Sequence, residues 1–488
     1  MGSDRWFSIS FWGCCALLLV PLWSVDYLPM VDLPQHAAQI GIWTRWSDPA
    51  FGYQELYTRN WFTPYLFGYL LAYALTAVLS INAALTTVIS AAVVGVPVAT
   101  RFLLREVGAN RWWVFAVFPG VYGFSFDWGF FNFLVGIPIA LASLVVVLRY
   151  TNEPTLRRGL GLAALLLGLF FVHVLLFGYV GLILGVTILT KNQDWKAGLL
   201  ALVPAIAVCP VVILWLYVAR SNEAMTHWET IWEVPWQSPR LLRLFAESAG
   251  DALSSWTLFA GVAGFALPLL LGGRPSRSPA RWVPFGTTVG LFLLVPHEFL
   301  GTAYLYSRYA VFAIPTWLYA MDPKDAAQPA RWKLALGPAL AVACTMATFG
   351  QFRGYAQEVA GLGEVIEQIP ENARVLSVPV RRNSRFVRTP VFLHTPAWYA
   401  AERGGVVDFS FAINFPLLFR YRDETEPSVP HTFVWNTGSL DWDAFDAQSY
   451  DYFVARDFGK QPSALLVRSG APVQLLGRAG AWQLFGRR

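Results

Sequence analysis

Charge is what this sequence has least of. Only 14% of its 488 residues are Asp, Glu, Lys or Arg, where soluble domains average about a quarter. Lysine is scarcer still, with five among 36 basic residues. Such a chain cannot solvate the surface of an ordinary soluble enzyme, cannot stay disordered, and offers no basic face for nucleic acid. Cysteine is also sparse: Cys14, Cys15, Cys209 and Cys344 all fall inside apolar runs and read as small buried hydrophobes, without disulfide or metal-ligand spacing. No Gly-Lys-Ser/Thr phosphate loop, Gly-x-Ser-x-Gly elbow or His-Glu-x-x-His pair occurs, so ATP-driven transport, serine hydrolysis and zinc chemistry lose their usual supports. Internal repeats and low-complexity tracts are absent too.

What fills the chain is apolar. Hydrophobic residues make up 56%, with 22 Trp, 19 Tyr and 36 Phe, and mean hydropathy is +0.45. Runs long enough to cross a bilayer need about 17–25 residues, somewhat fewer inside a bundle. They fall near 7–25, 62–80, 82–100, 131–149, 197–217, 254–271, 283–296, 309–321 and 334–350, and a longer run between Arg158 and Lys191 is flanked by basic residues at both ends. Counting that run as a hairpin with His173 near its turn gives about eleven spans. The first run carries only Arg5 ahead of it and no small-residue cleavage site after it, so it reads as an uncleaved anchor.

Charge density changes near residue 350: residues 1–349 carry 38 charged side chains, and the much shorter 350–488 carry 29. The fold class predicted is an α-helical polytopic membrane protein, 1–350 forming the bundle with a first outer loop at 26–61. Residues 351–488 form a soluble α/β domain. Its helix-like segments are Gly363–Gln368, Trp398–Arg403 and Asp443–Ser449. Its strand-like ones are Arg374–Val380, Gly405–Phe411, Tyr452–Ala455, Ala464–Val467 and Trp482–Phe485. The net charge of +5 is what basic cytoplasmic loops produce. Placing Gly273–Arg281 and Lys324–Lys333 in the cytoplasm makes the N-terminus cytoplasmic and the C-terminal domain extracytoplasmic. The localisation expected is thus a bacterial-type inner or plasma membrane. Arg101, Arg105 and Arg111 then fall outside, which is reconciled by reading Trp112–Phe124, broken by Pro119, as re-entrant or interfacial.

Directly after the first span stand Asp26, Asp32, Pro34 and His36. Pro34 suits a first helical turn, and Ile40, Ile42, Trp43 and Trp46 give Gln35–Trp46 the pattern of an amphipathic helix lying in the membrane interface. Asp32 sits at the positive end of that helix, with His36 four residues on. This pair reads either as a base able to take a proton from a hydroxyl, or as a helix cap beside a solvated histidine. Asp127 stands among aromatics before the fourth clear run, where a carboxylate is costly unless paired or used. His173 is either a packed core histidine or part of a pocket. His297 and Glu298 either line a site or pair with each other. Arg308, followed by Tyr309, stands where a guanidinium binds a phosphate bidentately or snorkels to headgroups. His227, Trp228, Glu229, Trp232, Glu233 and Trp236 form a loop suited to sugars or to the interface. His394, Trp398 and Tyr399 face an acceptor or fill a core.

One span, an outer loop with an acid just past the membrane, then Trp61-Phe62-Thr63-Pro64-Tyr65-Leu66 entering the next apolar run: this layout resembles the GT-C superfamily of membrane glycosyltransferases. The resemblance covers the whole chain in layout and little in motif. It implies that Asp32 is the catalytic acid residue of the first outer loop, with Asp26 as competitor and His36 beside it. It further implies a polyprenyl-phosphate-linked sugar as donor, a glycan, lipid or protein as acceptor, and membrane lipids as surroundings. Asp127, His173, His297, Glu298, Arg308 and Tyr309 become substrate-binding candidates, Arg308 against the donor phosphate. The resemblance leaves room for a divalent metal and requires no other cofactor. Two other classes share the layout: a lipid-linked sugar carrier, and an inactive GT-C-like scaffold in envelope polysaccharide assembly. A carrier calls for charges along a midplane path and an inverted repeat, and the sequence shows neither.

Overall fold

The computed structural model describes residues 2–191, 194–220, 231, 239–250, 254–299, 302–323, 330–413, 417–422, 425, 435, 449–457, 466 and 473–487. The proposed lid residues His227, Trp228, Glu229, Trp232, Glu233 and Trp236 lie outside these, as do nearly all of Asp443–Ser449 and Ala464–Val467.

The chain is mostly helical. Helix α1 (Gly2–Leu17) and the single turn α2 (Leu19–Leu22) lead into the long loop at 26–61, expected as the first outer loop, which holds α3 (Leu33–Thr44), α4 (Tyr53–Leu56) and strand β1 (Tyr57–Arg59). Helices α5 (Leu66–Leu75) and α6 (Ile81–Glu106) follow, then a 3₁₀-helix over Arg111–Tyr122 and the turn α7 (Phe124–Asp127). The bundle continues through α8 (Phe131–Asn152), α9 (Leu156–Val172), α10 (Val174–Lys191), α11 (Trp195–Ile206), α12 (Cys209–Arg220), α13 (Arg240–Glu247) and α14 (Ser255–Leu270). Strand β2 (Gly273–Pro275), α15 (Pro279–Leu294), a 3₁₀ turn at Ser307–Phe312, α16 (Ala313–Tyr319), β3 (Met321–Pro323) and α17 (Leu336–Val359) complete it. Among the described residues, five helices are long and apolar enough to cross a membrane, six if α11 and α12, bent by 53°, count as one. Trp6, Trp12, Leu160, Ile213, Leu214 and Phe259 are exposed on the bundle's outside, as lipid-facing side chains are. Cys209 is exposed there as well, contrary to the sequence reading, because a span's outer face meets hydrocarbon and needs no burial within protein.

Contacts along the helices define two ends of the bundle. At one end Arg111 pairs with Asp4 at 2.5 Å, and Arg101 lies over the rings of Phe7 and Phe11. Arg149 bonds Glu106, Lys191 bonds Thr151 and Asn152, and β2 pairs with β3. This is a basic end. The 3₁₀-helix starts here and runs beside α1, from Phe7 against Trp112 and Phe115 to Leu18, whose carbonyl accepts from the Tyr122 hydroxyl. A 3₁₀-helix rises about 2.0 Å per residue, so Arg111–Tyr122 covers about 22 Å. That matches the ~21 Å from Asp4 to Leu18 along an α-helix.

Trp112–Phe124 therefore runs along the length of α1, and Arg101, Arg105 and Arg111 share an end with the N-terminus. The run at 62–80, expected as a span, holds a shorter helix. Helix α5 has ten residues, ~15 Å, half the hydrocarbon thickness. It starts beside α3 and leads to Asn82, whose amide donates to the Asp26 carbonyl, so both its flanks lie at the opposite end.

At that opposite end, α17 feeds the C-terminal region. Helices α18 (Leu362–Glu367) and α19 (Ala397–Arg403) accompany β4 (Arg374–Val378), β5 (Val406–Val407), β6 (Phe419–Tyr421), β7 (Tyr452–Arg456), β8 (Val473–Ala479) and β9 (Trp482–Arg487). The main sheet has the order β5-β4-β7-β9-β8, parallel across β4, β5 and β7 and antiparallel thereafter. Strand β6 instead leaves this sheet and pairs antiparallel with β1 of the first outer loop.

Candidate functional site

Helix α3 organises the junction between the bundle and the C-terminal region. The sequence reading laid it in the membrane interface, yet Leu33 through Trp43 are all buried. Its polar face is covered because Gln35 and Gln39, one turn apart, each bond main chain on both sides. The Gln35 amide donates to the Phe409 carbonyl (2.9 Å) and its oxygen accepts from the Phe411 N–H (3.0 Å). Gln39 does the same to both groups of Phe419, at 3.1 and 2.8 Å. Arg45 donates to the carbonyls of Ala401 and Glu402 at the end of α19, and Gly41 lets α19 pack against α3 where a Cβ would strike Ala400 and Ala401.

Asp32 precedes the first turn of α3. Its amide donates to the Trp128 carbonyl (3.0 Å) and that of Val31 to the Asp127 carbonyl (3.1 Å), tying the first outer loop to the second. Gly129 makes the approach feasible. Its φ is +77°, and a Cβ there would fall against the amide nitrogens of Asp32 and Leu33. The Asp32 side chain makes no capping hydrogen bond, so the cap reading fails; it faces His394, with Oδ1 3.6 Å from Nε2. Only 15% exposed, the carboxyl is pushed up by burial to about 7, and the Arg308 guanidinium pulls the other way.

His36 does not face Asp32. Its Nδ1 lies 2.6 Å from the Tyr69 hydroxyl, its ring also bonds the Gly129 carbonyl, and Phe131 and Phe411 flank it. Burial first, then Arg308, lower its pKa to about 3, so it stays neutral. Asp26 is exposed, six residues back.

Arg308 is buried on the Ser307–Phe312 turn. One terminal nitrogen donates to the Ala303 carbonyl (3.2 Å), the guanidinium carbon lies 3.5 Å from the centre of the Phe130 ring, and Nε has no hydrogen-bond partner. Among the described residues no carboxylate lies within ion-pair distance of it. Its charge reaches Asp32, His36, Tyr65 and His173. His173 joins α9 to α10, edge-on to Tyr65 and Phe133, its Nδ1 accepting from the Leu175 amide. His297 packs edge-on against Tyr304, which holds a left-handed φ of 58° and lies 4.2 Å from the Trp128 ring. Asp127 is half-buried and reaches the site through its carbonyl. Glu298 bonds the main chain of Ile231, and Tyr309 packs toward Tyr179.

The structure thus gathers Asp32, Arg308, His36 and His173 at one end of the bundle, with Asp127 and His297 bordering them. Asp26 stands apart. Sequence reasoning missed three features: the Gln35–Gln39 clamp, readable as an i,i+4 pair without its acceptors; the close approach at Gly129; and the Asp32–His394 contact, for which no local signal exists. Among the described residues no three His, Cys, Asp or Glu side chains cluster as a metal site, so no step is derived through a metal. A carboxyl that titrates near neutrality beside a buried guanidinium can take up a proton and hold an anion.

These features define a membrane protein: a bundle of apolar helices with an α/β region packed at one end. Among solved structures the chain is similar to the cryo-EM structure of the arabinofuranosyltransferase AftD from mycobacteria, with TM-score 0.51 and 13% identity over 99% of this chain and 41% of that one. The chain thus spans about two fifths of that protein's length. It matches no protein-family model, and no curated protein sequence matches it.

Proposed function

We propose that the protein is a glycosyltransferase that moves a sugar from a polyprenyl-phosphate donor to a hydroxyl on a glycan, lipid or protein at the outer membrane face. The acceptor oxygen attacks the anomeric carbon, the bond from that carbon to the phosphate oxygen breaks with inversion, and Asp32 receives the acceptor's proton. The electron pair leaves with the polyprenyl phosphate, whose charge Arg308 offsets; a phosphate is a good enough leaving group to need no general acid. The observation that carries this reading is the pairing of a largely covered Asp32 carboxyl, titrating near neutrality, with the field of an Arg308 guanidinium that has no ion-paired carboxylate among the described residues. On this reading the basic end is cytoplasmic. The chain crosses eleven times, Arg111–Tyr122 replacing 62–80, and the C-terminal domain is extracytoplasmic.

Purified protein in lipid nanodiscs, offered radiolabelled polyprenyl-phosphoryl arabinofuranose and polyprenyl-phosphoryl mannose together with an envelope extract of glycan, lipid and protein acceptors, should release polyprenyl phosphate from at least one, and Asp32→Asn should not. Release from neither donor, or equal release by Asp32→Asn, overturns the reading.

A further inference from the structure

We propose that His394, carried by the C-terminal domain, is the positioning residue for the Asp32 carboxylate, so that the bundle alone does not complete the site. The inference rests on Asp32 being the base. His394 is buried, its ring stacks on Phe409 (4.9 Å between centres, 9° between planes), and Phe411 meets it edge-on. Nε2 is the nitrogen turned toward Asp32, while Nδ1 is buried without a hydrogen-bond partner. Among the described residues no other polar group bonds the ring.

Two independent anchors set this geometry. The Asp408 carboxylate accepts from the Ser377 amide (2.7 Å) and fixes the segment carrying Phe409, which Gln35 then clamps to α3. His394 itself opens the turn into α19, its carbonyl accepting from the Ala397 amide, and α19 packs on the helix that Asp32 begins. Domain docking and base placement are thus one event.

The ring stays neutral: burial, then His36, lower its pKa to about 3. Among the described residues the charged or titratable groups around the pair are Arg308, His36 and Tyr69. A neutral imidazole with its proton on Nε2 donates to Oδ1 and leaves Oδ2 for the acceptor hydroxyl. The 3.6 Å separation is long for that bond, as contacts in substrate-free sites often are before substrate tightens them.

The test compares His394→Phe, which keeps the stack on Phe409 and loses the donor, with His394→Gln, which keeps a donor and loses the stack. Infrared difference spectra against Asp32→Asn isolate the Asp32 carboxyl and follow its titration without any substrate. Loss of the donor removes an interaction favouring the charged form, so His394→Phe should raise the midpoint by about one pH unit and His394→Gln by less. Release of polyprenyl phosphate from the donors above should fall in the same order. A packing role reverses the order, and an unmoved midpoint in His394→Phe overturns the inference. If His394→Phe does not fold, His394→Leu replaces it for the carboxyl midpoint alone, and an unmoved midpoint there overturns the inference equally. An Asp32→Asn protein that still transfers sugar ends the base reading itself; a dead Asp32→Asn with an unshifted His394→Phe ends only this inference.

Discussion

The Asp32 carboxylate and the His394 imidazole meet at 3.6 Å from opposite ends of the chain, one opening a helix of the first outer loop and the other opening α19. His394 is buried, Asp32 is only 15% exposed, and the carboxylate spends no hydrogen bond on capping its own helix. A carboxyl left uncommitted in this way is available for proton transfer.

Replacing it is the most direct measurement. Asp32→Asn keeps size and polarity but cannot accept a proton, so sugar transfer should fall by about 10²–10⁴-fold with the fold intact. Asp26→Asn should stay near wild type, because Asp26 is exposed and makes its bond to Asn82 through its carbonyl. A dead Asp26→Asn beside an active Asp32→Asn would place the base six residues earlier.

The raised pKa of Asp32 has two consequences in pH. Activity that needs the ionised carboxylate should rise through a limb centred near pH 7. Stability runs the other way. Between the ordinary carboxyl value of 3.8 and about 7 the folded state holds a proton that the unfolded chain releases. The group's stabilising effect therefore declines as pH rises across that window and is flat above it. Asp32→Asn should melt like wild type at pH 4 and above it at pH 8, by up to about 4 kcal/mol. Thermal unfolding at the two pH values checks the sign, and a gain confined to acid pH contradicts it.

Arg308 combines a planar stack on Phe130 with an unpaired Nε, and lysine offers neither the plane nor the fork. Arg308→Lys should weaken the apparent affinity for the lipid donor by about tenfold while Tm changes little. Wild-type KM for the donor in Arg308→Ala would put the phosphate elsewhere.

Gly129→Ala joins a positive φ to a Cβ aimed at the amides of Asp32 and Leu33. About 1–3 kcal/mol of destabilisation is expected. Activity should fall by more than the loss of folded protein accounts for, measured per folded molecule.

Cysteine labelling from either side of the membrane tests the corrected arrangement. Arg105→Cys and Arg277→Cys should react from the same side, and Glu55→Cys from the other. Opposite-side reaction of Arg105→Cys would restore the 62–80 span.

Hydropathy made the apolar helices legible, five or six of them long enough to cross a membrane among the described residues, and missed how 62–80 and 112–124 are wound. A window of apolar residues carries no information on winding: thirteen residues are too few for an α-helical crossing, yet a 3₁₀ rise lets them nearly suffice. In the C-terminal region β4, β7, β9, α18 and α19 lie where alternation and periodicity put them, while the expected strand at Gly405–Phe411 shrinks to Val406–Val407 because Phe409 and Phe411 serve the Gln35 clamp. Asp32 was visible because a carboxylate, a proline and a helical pattern follow a span directly. His36 was turned away from it by Tyr69 and Gly129, neighbours that only tertiary packing supplies. His394 was invisible as a partner for the same reason.

The long 3₁₀-helix at Arg111–Tyr122 sets a length. Wound as an α-helix, its twelve residues would be about 6 Å shorter. Its far end leads through α7 to the carbonyls of Asp127 and Trp128 that grip the amides of Val31 and Asp32. The element therefore works as a taut guy-line, pegged at the Arg111–Asp4 pair and tied off at Asp32. Slackening it anywhere along Trp112–Phe118 would drag the Asp32 amide inward, so that a substitution at the opposite membrane surface would be felt as a misplaced proton acceptor.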